Sequence, residues 1–190
     1  MKYLGFLSAV FAVMLFSAGS LTAQTKLPGL DASPMDMSYY PPNFSSNVSV
    51  QGKPGKLIAR VIYSRPQMKG RKIFGQLVPF SKVWRLGANQ ATELDIYAPV
   101  TIGGHQVPEG RYTLYTIPEA GHWTMILNAQ TDTWGAFGYK QAKDILRTEV
   151  PVTKLDQTVD AFTMVFEKSD SGANLVMAWE NTEAKLPISF

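Results

Sequence analysis

The sequence predicts an all-β fold, a single antiparallel β-sandwich of about eight or nine strands. Three observations lead there. Apolar residues alternate with a period of two in most segments, helical periodicity is nearly absent, and turn residues recur at the short spacing of sandwiches and barrels. The chain of 190 residues is 45% hydrophobic, 12% aromatic and 17% charged, which is a globular composition with enough length for one domain and its core. It contains no cysteine, so disulfides, thiolate metal sites, a cysteine nucleophile and a lipoprotein anchor on an N-terminal cysteine are all excluded.

In chain order, the first segment reads as a leader. Lys2 precedes an apolar run from Leu4 to Phe16, then come the small and polar residues Ser17 to Thr22, and then Ala23. These are the three zones of a secretory signal peptide over 1–23, cleaved after Ala23. The run is too short to span a bilayer, and no later stretch approaches about 18 uninterrupted apolar residues. The expectation is an exported protein, periplasmic or extracellular in a bacterial envelope, with no transmembrane segment after cleavage. Residues 24–47 carry Pro28, Pro34, Pro41 and Pro42 among Ser, Asn and Gly and read as an extended Pro-rich arm. The sandwich domain is expected over 48–190.

Within that domain Leu57, Ala59, Val61 and Tyr63 share one strand face, and Leu94, Ile96 and Ala98 share another. Gly103-Gly104, between Val100-Ile102 and Gln106-Val107, reads as a two-residue hairpin turn. Tyr112 and Leu114 mark the next strand, and Glu119-Ala120-Gly121 turns the chain between Ile117 and Trp123. Further strands are expected at 122–128, 145–152, 159–167 and 173–180, and a short helix is expected within 138–146. Ala184, Leu186, Ile188 and Phe190 alternate at the C-terminus, as in the last strand of outer-membrane barrels. Short strands and the mid-strand charges Arg60 and Asp95 argue against a barrel.

Two long loops, 64–92 and 129–143, break the alternation. Long structured connections in compact domains are more often functional than decorative. Both place aromatics beside glycines: Phe74-Gly75 and Trp84 in the first, Trp134-Gly135 and Phe137-Gly138-Tyr139 in the second. Such rings either form a binding platform or plug the open ends of a sandwich.

Charge is unevenly distributed. Between Met37 and Thr92 stand nine cations and no acid, namely Lys53, Lys56, Arg60, Arg65, Lys69, Arg71, Lys72, Lys82 and Arg85. From Glu93 to Phe190 there are thirteen acids and seven cations, so a region of +9 precedes one of −6. Either the two regions pair internally, or Arg65, Lys69, Arg71 and Arg85 converge into a site for carboxylate or phosphate, which arginine recognises bidentately. Nucleic acid is not expected as a partner, given the leader and the acidic second half.

Several runs carry a family resemblance: Ser64-Arg65-Pro66, Lys69-Gly70-Arg71-Lys72-Ile73-Phe74-Gly75, Leu77-Val78-Pro79 and Val83-Trp84-Arg85-Leu86-Gly87-Ala88-Asn89-Gln90-Ala91-Thr92-Glu93. With Val107-Pro108-Glu109-Gly110-Arg111-Tyr112-Thr113-Leu114, Ile117-Pro118, Trp123-Thr124, Trp134-Gly135 and Val150-Pro151-Val152, they make residues 48–190 resemble domain-of-unknown-function family 2911, found in exported proteins of Bacteroidetes and relatives. The resemblance implies no activity. It marks the stretch from Trp84 to Glu93 as the family's signature surface.

In that stretch Arg85, Asn89 and Glu93 recur at four-residue steps, with Gly87 able to take backbone angles that other residues avoid, so that a turn or a single helical turn would present all three on one side. Such a turn makes either a polar pocket, with Arg85 as anion clamp, Asn89 as hydrogen bonder and Glu93 as orienter or base, or a buried ion pair pinning the loop. GxSxG, HExxH, P-loop, GxGxxG and EF-hand motifs are absent. His105 and His122 lie at hairpin turns without partners at metal-ligand spacing. Glu93 or Asp95 with Asp132, Glu109 or Glu119 would form a carboxylate pair only if the fold brought them to the right separation.

The expected function is a binding or interaction module for an anionic small molecule or glycan, with Arg65, Lys69, Arg71, Trp84, Arg85, Asn89 and Glu93 as the ligand surface. No cofactor or metal ion is expected. The alternatives are a metal-independent hydrolase or lyase on glycans or envelope components, with Glu93 and a second acid as its catalytic groups, and a scaffold subunit of an outer-membrane complex docking to an envelope protein partner.

Overall fold

The structure is a computed structural model that describes residues 25–46 and 55–190. The leader expected at 1–23 and the domain start expected at 48 lie outside the described residues. The fold is nearly all β, with nine strands: β1 (Met35–Tyr40), β2 (Ala59–Ser64), β3 (Glu93–Ile96), β4 (Val100–Ile102), β5 (His105–Val107), β6 (Gly110–Pro118), β7 (His122–Asn128), β8 (Asp144–Ser169) and β9 (Gly172–Ser189). Every neighbouring pair is antiparallel, in the order β1-β2-β3-β6-β7-β8-β9-β4-β5. Among the described residues, no helix is long and apolar enough to cross a membrane.

The strands form one continuous sheet because β8 serves two ladders. Its first part pairs with β7, from Asn128↔Asp144 to His122↔Pro151, and its remainder pairs with β9, from Val152↔Ala184 to Ser169↔Gly172. The sequence shows strands at 145–152 and 159–167 with a polar stretch between. The backbone instead stays extended throughout, and the polar stretch becomes an irregularity in the ladder. From Lys154↔Thr182 to Val159↔Glu180, five steps along β8 face two along β9. Bulges of this kind bend a strand without ending it. The bend folds the sheet over, so that the later part of β8 returns to the β1–β2 edge. There the Tyr63 hydroxyl donates to the Met164 carbonyl at 3.1 Å, and the Phe166 N–H meets Ser38 Oγ at 3.3 Å.

Between the two halves lies one core. Val61 and Tyr63 of β2, Leu94 and Ile96 of β3, Trp123 and Met125 of β7, Phe162 and Met164 of β8 and Leu175, Met177 and Trp179 of β9 all belong to it. These are the alternating apolar positions of their strands, and each large side chain so buried is worth about 2–3 kcal/mol against exposure. The C-terminal alternation serves the same core, since Ala184, Leu186 and Ile188 are buried within a β9 that runs to Ser189 rather than stopping at 180.

Three other expectations are modified. Part of the stretch read as an arm forms β1, because Met35–Tyr40 finds the open edge of β2 in register from Met35↔Ser64 to Tyr40↔Ala59. The helix expected within 138–146 shrinks to one 3-10 turn at Gln141–Lys143, since β8 claims the chain from Asp144 onward. The Gly103-Gly104 hairpin forms as expected, with both glycines at positive φ (58° and 80°), as a type I′ turn requires.

The two regions of opposite charge pair only in part. Arg60 on β2 reaches Asp95 on β3 at 2.6 Å, whereas Arg65 turns to Asp36, which precedes both regions, at 3.0 Å. The Asp95 pair holds the Arg60 guanidinium above its ordinary pKa.

Candidate functional site

The loop from Arg65 to Thr92 is fastened to the sheet at several points, and these fastenings create the site. Met68 N–H donates to the Asp160 carbonyl and Phe162 N–H to the Pro66 carbonyl, tying the loop's start to β8. Ile73, Phe74 and Val78 are buried, so the middle of the loop plugs one end of the core. Trp84 exchanges two backbone hydrogen bonds with Thr116 of β6, at 2.7 and 2.9 Å. Its ring stacks on Trp179 with centroids 5.9 Å apart and meets Phe74, Trp123 and Phe162 edge-on. Phe74 and Trp84 are thus plugs. Trp134 and Phe137 of the second long loop are the reverse, 60% and 90% exposed.

After Arg85 the backbone turns through conformations that most side chains avoid. Leu86 has φ 54°, Gly87 φ 151° and Asn89 φ 55°. A fully buried leucine at positive φ costs about 1–3 kcal/mol and persists only where its surroundings hold it. Here Thr92 Oγ1 donates to the Leu86 carbonyl, Trp84 Nε1 donates to the Gly87 carbonyl at 3.2 Å, and Gly135 N–H donates to the Asn89 carbonyl. A Cβ on Gly87 would stand 2.9 Å from the Ser64 carbonyl oxygen, so only glycine fits.

This path overturns the helical-turn expectation for Arg85, Asn89 and Glu93. Positive φ at 86, 87 and 89 sends the three side chains to different places. Asn89 donates to Asp31 of the N-terminal stretch at 3.0 Å. Glu93 takes a bidentate bond from Arg111 at 2.7 and 2.8 Å, and Asp132 binds the same guanidinium. Glu93 and Asp132 therefore do meet, as a carboxylate pair requires, but on a shared cation. Arg111 lowers the Asp132 pKa and so keeps that carboxylate ionised, the opposite of what a general acid needs.

Arg85 itself faces a cavity of about 350 Å³. Its neighbours there include Arg71, Lys82, Trp84, Leu77, Pro79, Val83 and, from β9, Trp179; no acidic residue among the described residues lines the cavity. The Nε of Arg85 is buried and has no hydrogen-bond partner, and burial pushes the guanidinium pKa down with nothing opposing it. A partly desolvated guanidinium with no carboxylate within ion-pair distance among the described residues is a costly arrangement that an incoming anion would relieve. Arg71 is oriented by its own turn, with Nε donating to the Met68 carbonyl at 2.9 Å and Nη2 to the Gln67 carbonyl at 2.7 Å.

Of the seven residues expected at the ligand surface, then, Arg71, Trp84 and Arg85 come together, and Arg65, Lys69, Asn89 and Glu93 lie elsewhere. Arg65 is spent on Asp36, Thr163 Oγ1 and the Phe162 carbonyl, and Lys69 sits at φ 49° in an exposed turn. Lys82 and Trp179 were missed. Lys82 belongs to the nine-cation run and was open to selection. Trp179 lies in a separate strand, and no local signal connects it to the loop. Among the described residues, no group of three or more His, Asp and Glu is placed to hold a metal ion; His122 stands 3.9 Å from Glu149 alone.

No curated protein and no solved structure matches the chain. Residues 45–188 match the family described as a protein of unknown function, DUF2911, a span that takes in both long loops, every lining residue of the cavity except Ser33, and all strands but β1. The chain belongs to the DUF2911 family.

Proposed function

We propose that this protein is an exported binding module that holds an anionic small molecule, or the acidic group of a glycan, in the Arg85 cavity. The observation that carries the reading is the Arg85 guanidinium, which lines a cavity with Arg71 and Lys82 and no acid among the described residues, and whose buried Nε has no hydrogen-bond partner there. Functional sites are where folds tolerate uncompensated charge and strained backbone together, and Leu86 and Asn89 supply the strain beside it. Hydrolase or lyase chemistry through Glu93 gains no support, because that carboxylate is engaged by Arg111 away from the cavity.

A thermal-shift screen against anionic sugars, phosphates and nucleotides tests the reading. A ligand at one hundred times its Kd adds about 2.7 kcal/mol of stability. Stabilisation that disappears in Arg85→Ala establishes the site. An Arg85→Ala protein that only melts earlier, with no ligand response in either form, assigns Arg85 to structure and refutes the reading. Export rests on the zones of residues 1–23, and the mass of the mature protein in an envelope fraction should place its N-terminus at Gln24.

A second reading, docking to an envelope protein, draws on Trp134 and Phe137. Loop 129–143 holds both rings out to solvent while Ala91 N–H donates to the Thr133 carbonyl behind them. Paired Ala substitutions there would release a co-purifying partner without altering ligand stabilisation.

A further inference from the structure

We propose that the Arg85 cavity takes a phosphate monoester on a small hydroxylated body such as a sugar, in preference to a monocarboxylate or a sulfate ester. This deepens the anion-site reading and rests on it. The first argument is charge. Arg71, Lys82 and Arg85 line one cavity of about 350 Å³, and among the described residues no Asp, Glu or His does. A monoanion would leave two uncompensated like charges in a partly desolvated space, whereas the dianion of a phosphate monoester neutralises most of them within one compact group. The second argument is the donor set. Arg71 has Nε and Nη2 committed to the Met68 and Gln67 carbonyls, which leaves Nη1 without a protein acceptor among the described residues. Arg85, which lines the cavity, adds Nη1 and Nη2, neither of which has a protein acceptor among the described residues, and Lys82, exposed and in no ion pair among the described residues, adds a point charge. Donors on three side chains match the three terminal oxygens of an ester phosphate. One guanidinium fork already saturates a planar carboxylate. The third argument is the rest of the wall, where Leu77, Pro79 and Val83 offer apolar surface to the body carrying the phosphate. The volume lies at the small end of ligand pockets, which suits a single sugar ring and not a polymer.

Isothermal titration of the purified protein, expressed from the full chain, separates these terms. Glucose 6-phosphate, glucose 6-sulfate and glucuronate share a sugar body and differ in charge and in the shape of the anion. The phosphate ester is expected to bind about tenfold tighter than either of the others at pH 7.5. That advantage should shrink toward pH 5 as the phosphate, with a second pKa of about 6, takes up a proton, because no Asp, Glu or His among the described residues lines the cavity. Lys82→Ala, at an exposed position that leaves the fold intact, should weaken glucose 6-phosphate by about three- to tenfold. Co-sedimentation with vesicles containing phosphatidic acid, blocked by glucose 6-phosphate, would keep the ester chemistry and assign its source to a lipid headgroup. Glucuronate or the sulfate ester binding as tightly as the phosphate overturns the inference and leaves an anion site standing. No binding of any probe at millimolar concentration by the folded protein overturns both.

Discussion

Arg85 carries the strongest local signal in the molecule, because its chemistry disagrees with its surroundings. A guanidinium whose Nε is buried without a partner, and whose pKa burial pushes down, costs stability for as long as the cavity holds no anion. Arg85→Met, which keeps most of the volume and removes the charge, should therefore raise stability by about 1 kcal/mol while abolishing any stabilisation by anions. Urea unfolding with and without phosphate checks both halves; a loss of stability instead would mean that the guanidinium has partners the hydrogen-bond geometry does not show. Gly87, two residues on, makes the opposite case. Its φ of 151° and the Ser64 carbonyl 2.9 Å from an added Cβ leave no room for a side chain. Gly87→Ala should cost about 2–3 kcal/mol, read as a lower urea midpoint with an unchanged slope.

At the scale of elements, the two long loops are held to the sheet by different means. Loop 65–92 is anchored by buried apolar residues, whereas loop 129–143 is anchored by a polar network around Asp144. Asn128 Nδ2 donates to Asp144 Oδ1 at 2.7 Å, Tyr139 donates to Asp144 Oδ2 at 2.7 Å, and Arg147 Nε reaches the same oxygen at 2.8 Å. Burial, with the adjacent carboxylate, pushes the Tyr139 phenol up to about 12. An unfolded tyrosine titrates near about 10, so above that pH the unfolded chain loses a proton that the native loop retains. The stability this represents is fully present below about pH 10 and is lost as the pH rises through about 12. Burial raises the phenols of Tyr63, Tyr97, Tyr112 and Tyr115 as well, so the late phenolate absorbance should fall by one group in Tyr139→Phe, and the variant should lose less stability than the parent between those two pH values. An unchanged late amplitude in the variant would assign it to those other phenols.

At the scale of the whole molecule, β8 and β9 connect the two halves. β9 pairs with β8 along nearly its whole length and, at its end, with β4 through Thr101↔Ser189 and Ile102↔Ile188. Residues 182–190 therefore bury Ala184, Leu186 and Ile188 in the core and also hold the β4–β5 hairpin in the sheet. Removing 182–190 should strip that hairpin and destabilise the domain by more than about 4 kcal/mol, since three core side chains and a strand ladder are lost at once. Loss of the cooperative thermal transition is the expected readout. A truncated chain that still melts cooperatively near the parent temperature would contradict the connecting role given to β9.

The strands were legible in the sequence because their cause is local. Val61 and Tyr63, Leu94 and Ile96, Trp123 and Met125 alternate with the pleat whatever they pack against, and Gly103-Gly104 permits a tight turn by its own backbone freedom. The part of the site on one stretch of chain was legible too, since Arg71, Trp84 and Arg85 stand out by residue type within the basic run. Three features were decided only in the folded chain. Whether 152–159 ends a strand or bends it depends on a partner, β9, that lies beyond it in sequence. Whether Glu93 faces Arg85 depends on left-handed backbone at Leu86 and Asn89, which is held by contacts from Thr92 and Gly135 and which spacing does not encode. And whether the basic run is neutralised or leaves Arg71 and Arg85 without an ion pair among the described residues depends on which acids arrive. Alternation, turn chemistry and composition are properties of neighbouring residues, so the sequence by itself determined an all-β antiparallel chain of this family. The cavity's charge stands uncompensated because Arg60 and Arg65 found Asp95 and Asp36 while Arg85 found no acid among the described residues, a distribution of long-range partners that only the tertiary structure could set.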